Sequence, residues 1–121
     1  MDSQAHVRAA LRFLLIADSF RVERDLLAKS EMLWCAAAHI VKALAIIQRP
    51  RWPNRSHDDL FRAAGRAASF LGEPGVEDDF RAAVRLHRNM YEGFMGRRAI
   101  ANAERRVRRL VNRIDDYITH P

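Results

Sequence analysis

Cysteine is all but missing from this chain. Cys35 is its one thiol, so no intramolecular disulfide can brace the fold, and a cytoplasmic setting is the expectation. Long apolar runs are missing as well. The N-terminal stretch opens with Met1, Asp2 and Ser3, and its apolar run extends only from Phe13 to Ala17, too short and too acidic at the front for a signal peptide. Nowhere does the sequence approach the ~20 apolar residues of a membrane-spanning helix, so no membrane partner is expected. Lysine is scarce: of 21 basic residues, only Lys29 and Lys42 are not arginine. Strand-like alternation, internal repeats and low-complexity segments are absent too, which leaves helices as the material of the fold.

What remains is a chain of 121 residues, 49% hydrophobic and 30% charged, the composition of one globular domain spanning residues 1–121. Its net charge is +6, and residues 96–121 hold seven arginines against Glu104, Asp115 and Asp116. A basic helix of this kind suits RNA, DNA or an acidic partner, although a solvated face is the simpler account. Arginine suits bidentate phosphate contacts, but the same bias also follows from coding composition.

Five helices can be read in order. Ser3 is placed to cap the first, with Val7, Ala10, Leu11, Leu14 and Leu15 on its inner side. Asp18, Ser19 and Phe20 break the chain, with Asp18 or Ser19 able to cap a second helix from about Arg21 to Gln48. Leu26, Leu33, Ala37, Ile40, Leu44 and Ile47 share one stripe of it, widened by Trp34 and Val41, which makes this helix central. Ala36, Ala37 and Ala38 would let a neighbour approach closely. His39 reads as a hydrogen-bonded core or interface residue and Cys35 as a small buried hydrophobe.

Pro50 and Pro53 end that helix, and Trp52 between them reads as folding back on the bundle rather than stacking on a base. Ser56 caps the third helix, with Asp58 and Asp59 at the end where the helix dipole favours anions. His57, Asp58 and Asp59 do not converge on one helical face, so capping and not metal binding is expected, and no cofactor is called for. Leu60, Phe61, Ala64, Ala68 and Leu71 form its apolar side. The turn at residues 72–75 leads into a fourth helix starting near Val76, which Gly93 and Gly96 close. A fifth helix carries the stripe Ile100, Ala103, Val107, Leu110, Val111, Ile114 and Ile118, with Arg98, Arg105, Arg109 and Arg113 away from it. The architecture that follows is all-α, a single five-helix bundle.

The chemistry gathers between Arg81 and Gly93, about three and a half helical turns holding Arg81, Arg85, His87, Arg88, Asn89, Tyr91 and Glu92. Phe80, Ala83, Val84, His87, Tyr91 and Phe94 share one side, and Arg81, Arg85, Arg88 and Glu92 another. A shielded imidazole beside arginines suits general-base catalysis, with arginine stabilising charge on a phosphorane, as in attack of an RNA 2′-hydroxyl on its own phosphate. The spacing alone favours a plainer account, in which Arg88 and Glu92 pair, Tyr91 is core and His87 packs against it.

Three segments resemble the HEPN superfamily, small helical domains of prokaryotic toxin–antitoxin, CRISPR-associated and other defence systems. They are Ala36 to Leu44, Arg55 to Leu60, and Leu86 to Gly93. The resemblance implies a homodimer with two motifs facing each other, RNA as a partner, and a cognate antitoxin or nucleotidyltransferase-like protein. Ribonuclease members carry an Arg, usually a polar residue, then four to six residues and a His. In one register here Arg81 pairs with His87 across five residues, but Ala82 fills the polar position. In the other Arg88 and Asn89 form the Arg-polar pair, and the matching His is absent. The resemblance thus implies either a metal-independent endoribonuclease using His87 with Arg81 or Arg88, or a non-catalytic dimerisation module with a degenerate motif. In either case Arg85, Asn89, Tyr91 and Glu92 would contact RNA or a partner copy. DNA binding through the last helix is a weaker alternative, since no helix-turn-helix pattern supports it.

Overall fold

The computed structural model describes residues 1–20 and 25–121 and is all-helical among them. The helices are α1 (Ser3–Asp18), α2 (Leu26–Ile46), α3 (His57–Leu71), α4 (Gly75–Glu92) and α5 (Arg97–Thr119). The expected start of α2 at Arg21 falls outside the described residues. Helix α2 packs against all four others, as its all-round apolar character demands. Leu33, Ala37, Ile40, Val41 and Leu44 are buried along it, and core residues come from every helix. The alanine run at 36–38 is buried, which lets α1 lie close along α2.

Local chemistry sets the ends. Helix α1 is capped by Asp2, whose carboxylate accepts from Ala5 N–H, not by Ser3. Ser3 is already helical, and its hydroxyl donates to the Ala43 carbonyl of α2 at 2.8 Å. Asp18 and Ser19 close α1 instead of opening α2; the Ser19 hydroxyl donates to the Ile16 carbonyl. Ser56 forms a reciprocal capping box with Asp59, whose carboxyl is held below its ordinary range by N–H donors of Ser56 and Arg55. That uses Asp59 for capping, as the sequence suggested. Gly93, at φ 63°, takes the left-handed conformation that ends α4.

Two expected apolar faces prove narrower than the periodicity suggested. Leu11 and Leu15 of α1 are exposed, because α1 packs mainly along α2 and needs only the Val7, Ala10 and Leu14 strip. On α3, Ala63 and Ala67 are buried while Phe61 is exposed. Trp52 does fold back, half-buried against the core and edge-on to Phe70.

His39 is hydrogen-bonded, as expected, but to a residue that periodicity left unremarked. Its Nδ1 lies 2.8 Å from Nδ1 of buried His6 on α1, and Phe13 stacks on its ring. One nitrogen must donate and the other accept, so the two rings cannot both carry a proton on Nδ1. Burial depresses the affinity of both rings for protons, and Lys42 adds to this at each. The unfolded chain then binds protons below its ordinary value of 6.5 where the folded chain resists them. The stability contributed by the neutral pair is therefore present above that value and lost as pH falls below it. Melting temperature should drop between about pH 7.5 and pH 5, with a shallower slope in His39→Leu. Parallel slopes for the two proteins would contradict this account.

Candidate functional site

The focal helix divides its polar residues between three surroundings. Residues Val76, Asp79, Phe80, Ala83, Leu86 and Asn89 face inward and are buried. Asp79 and Asn89 therefore sit on the apolar stripe, where each needs a polar partner.

Asn89 was expected to meet RNA or a partner copy, and here it is a core residue with no exposure. Its amide donates to the Ser30 hydroxyl on α2 at 3.1 Å, and its carbonyl oxygen accepts from Met95 N–H at 2.7 Å. It thus ties α2, α4 and the connection to α5 together. Asn89→Ala should cost about 2 kcal/mol in chemical denaturation, because it leaves Met95 N–H and the Ser30 hydroxyl short of a partner. A loss no larger than that of a surface substitution would show that water replaces the amide.

On the face toward α5, Arg81 and Arg85 line an open groove of about 370 Å³ with Asp78, Asn102 and Arg106. Arg81 pairs with Glu77 and Asp78, and its guanidinium lies 6.0 Å from the centre of the Phe61 ring. Six helical residues turn the chain by about 240°, so Arg81 lies roughly 120° around α4 from His87. Within one chain the first register does not bring its arginine to its histidine. Arg88 is exposed, pairs with Glu92 at 3.0 Å and lies over the Phe94 ring at 5.1 Å. The Arg88–Asn89 register is thus split between surface and core.

His87 occupies the third surrounding, where α4 meets α2 and the start of α3. Its side chain keeps 18% exposure. The imidazole stacks on buried Trp34 at 4.9 Å and 29°. Its Nδ1 lies 2.8 Å from a carboxylate oxygen of Glu31 on α2. An ionised carboxylate only accepts, so Nδ1 carries the proton and Nε2 is left with the lone pair in the neutral ring. Two further rings flank it edge-on, His57 at 5.0 Å and Tyr91 at 5.4 Å. Tyr91 is 73% exposed and not part of the core. Phe94 and Leu27 nearby are also exposed.

This constellation is an oriented carboxylate–imidazole pair on an aromatic floor, at the protein surface. It can accept or deliver a proton through Nε2 and can stack a planar group against Tyr91. Cys35 is no nucleophile beside it: burial and then the Glu31 charge push its thiol up to about 11, and it packs, partly buried, against the core. Glu31 escaped the sequence reading, and so did the meeting of His57 with His87. Glu31 could have been found as the sole acid of α2. His57 enters the sequence reading at the start of the third helix, where metal binding is set aside, and in the segment Arg55 to Leu60 that carries the resemblance, but not beside His87.

The arginines of α5 are largely engaged inside the chain. Arg106 and Arg109 reach Asp79, Arg108 reaches Glu104 and Asp18, and Arg113 pairs with Glu73. They stitch α5 to the bundle, which removes most of the footing for DNA binding by that helix. No described helix is long and apolar enough to cross a membrane.

No curated protein and no solved structure matches the chain. A sequence model of the archaeal PaREP1/PaREP8 family does match, over residues 5–111, from within α1 into α5 and including Glu31, His57 and His87. The chain belongs to the archaeal PaREP1/PaREP8 family.

Proposed function

We propose that this protein is a HEPN-like domain that acts on RNA as a homodimer, cleaving it without a metal. The observation that carries the proposal is the Glu31–His87 pair, a partly exposed imidazole held in one orientation by a carboxylate from another helix. In this reading Nε2 of His87 takes the proton of a ribose 2′-hydroxyl as the oxygen attacks the adjacent phosphorus. Arg88, at the same end of α4, holds the phosphate, and Tyr91 stacks on a base. Arg81 and Arg85 lie on the other side of the helix and would meet RNA along the α4–α5 groove or across the dimer. Glu92 keeps Arg88 in place. Leu27, Tyr91 and Phe94 leave an exposed apolar rim beside His87, the surface on which a second copy would close.

The test is cleavage of a mixed RNA pool by the purified protein in EDTA, with His87→Ala beside it. Abolition of cleavage in the variant supports the reading; cleavage retained by the variant overturns His87 as the acting group. The rim favours a second reading, a dimerisation module without chemistry. That module predicts no cleavage by a protein that light scattering shows to be dimeric, with the dimer lost in the double variant Tyr91→Ser and Phe94→Ser.

A further inference from the structure

Cleaving RNA by its own 2′-hydroxyl needs two proton transfers, and the Glu31–His87 pair accounts for one. The 2′-oxygen loses a proton as its bond to phosphorus forms. The 5′-oxygen must gain one as its bond to phosphorus breaks, leaving a 2′,3′-cyclic phosphate and a free 5′-hydroxyl. We propose that His57 is the second proton-transfer group, donating to the departing 5′-oxygen while His87 takes the 2′-proton. This rests on the ribonuclease reading of the same site.

His57 is the first residue of α3, and the Ser56–Asp59 box fixes that helix start, so the backbone under its side chain is held. Its ring centre is 5.0 Å from that of His87 and 5.2 Å from that of Trp34, edge-on to both. At that separation the two rings touch edge to face, so a phosphate cannot lie between them; seated over the pair, it can present its entering oxygen to one imidazole and its leaving oxygen to the other. Their planes cross at 87°, an edge-to-face contact and not a hydrogen bond between ring nitrogens. The His6–His39 pair is different: its nitrogens are spent on each other at 2.8 Å, inside the bundle. His57 is exposed where His87 is mostly covered, and Glu31 and Tyr91 both meet the His87 ring. The two histidines thus differ in the way their tasks differ. The covered ring is oriented by a carboxylate, and the exposed ring is free to exchange its proton with water between turnovers.

The experiment compares two oligonucleotides with one cleavable ribonucleotide, carrying oxygen or sulfur at the bridging 5′-position. A thiolate leaves without a proton. His57→Ala and His57→Gln should lose about 10²-fold or more on the oxygen substrate and regain nearly wild-type rates on the sulfur one. His87→Ala should be impaired on both. Equal losses on the two substrates, or no loss on the oxygen substrate, would overturn the assignment while the ribonuclease reading stands. A folded wild-type protein that cleaves neither substrate would overturn that reading and this assignment with it.

Discussion

Replacing Arg106 and Arg109 together by alanine should lower the unfolding free energy by about 3–5 kcal/mol. The Asp79 side chain is 3% exposed, in the second turn of α4 among apolar residues. Arg109 meets it with two bonds, Nε to Oδ2 at 3.0 Å and a terminal nitrogen to Oδ1 at 2.6 Å, and Arg106 adds a third contact at 3.4 Å. The hydrogen bond to Asp79, and then its charge, also hold the Arg109 guanidinium proton more tightly than usual. Both arginines are themselves about half exposed, so they return to water at little cost when the carboxylate goes. The carboxylate has no such escape. The effects should therefore be asymmetric. Asp79→Asn should cost much less than the double arginine variant, and adding Asp79→Asn to that variant should recover part of its loss. Urea denaturation followed by circular dichroism reads all of these. A double-arginine loss under about 1 kcal/mol would mean that water reaches Asp79 and that the ion pairs are ordinary surface ones.

Asp79 also shows where the sequence could be read and where it could not. Five helices, a central α2 and the α5 stripe follow from apolar periodicity, because burial of one face is a local pattern. The capping box follows from Ser56 and Asp59 standing three apart. Asp79 lies on the stripe of Val76, Phe80, Ala83 and Leu86, but an acid near a helix N-terminus has a sufficient local explanation in the helix dipole, and its arginine partners are about thirty residues away. The site escaped for the same reason. The Glu31–His87 bond joins residues 56 apart, and His57 reaches His87 only because α3 and α4 both lean on Trp34. The stretch from Arg81 to Gly93 stands out by composition alone. Which of its residues face water was not legible, since Asn89 proves fully buried and Tyr91 exposed, the reverse of what their types suggest.

Glu31→Gln should lower metal-independent RNA cleavage by about 10²–10⁴-fold while leaving the protein folded. The carboxylate can only accept, so it forces the Nδ1–H tautomer and aims the Nε2 lone pair outward. Glutamine has nearly the same shape, but its amide can turn and donate to Nδ1. The proton then moves to Nε2, where a base needs its lone pair. The substitution also removes the negative charge that stabilises an imidazolium formed in the transition state. Packing should survive, because Trp34 still supports the ring and the hydrogen bond persists with its direction reversed. Near-ultraviolet circular dichroism of Trp34 should therefore be unchanged. Glu73→Gln, which removes a carboxylate paired with Arg113 away from His87, should cleave at the wild-type rate. The comparison separates chemistry from packing: a stacked histidine that merely fills space is indifferent to its tautomer, whereas a base is not. Wild-type cleavage by Glu31→Gln would leave the pair as a packing feature and move the chemistry elsewhere on the chain.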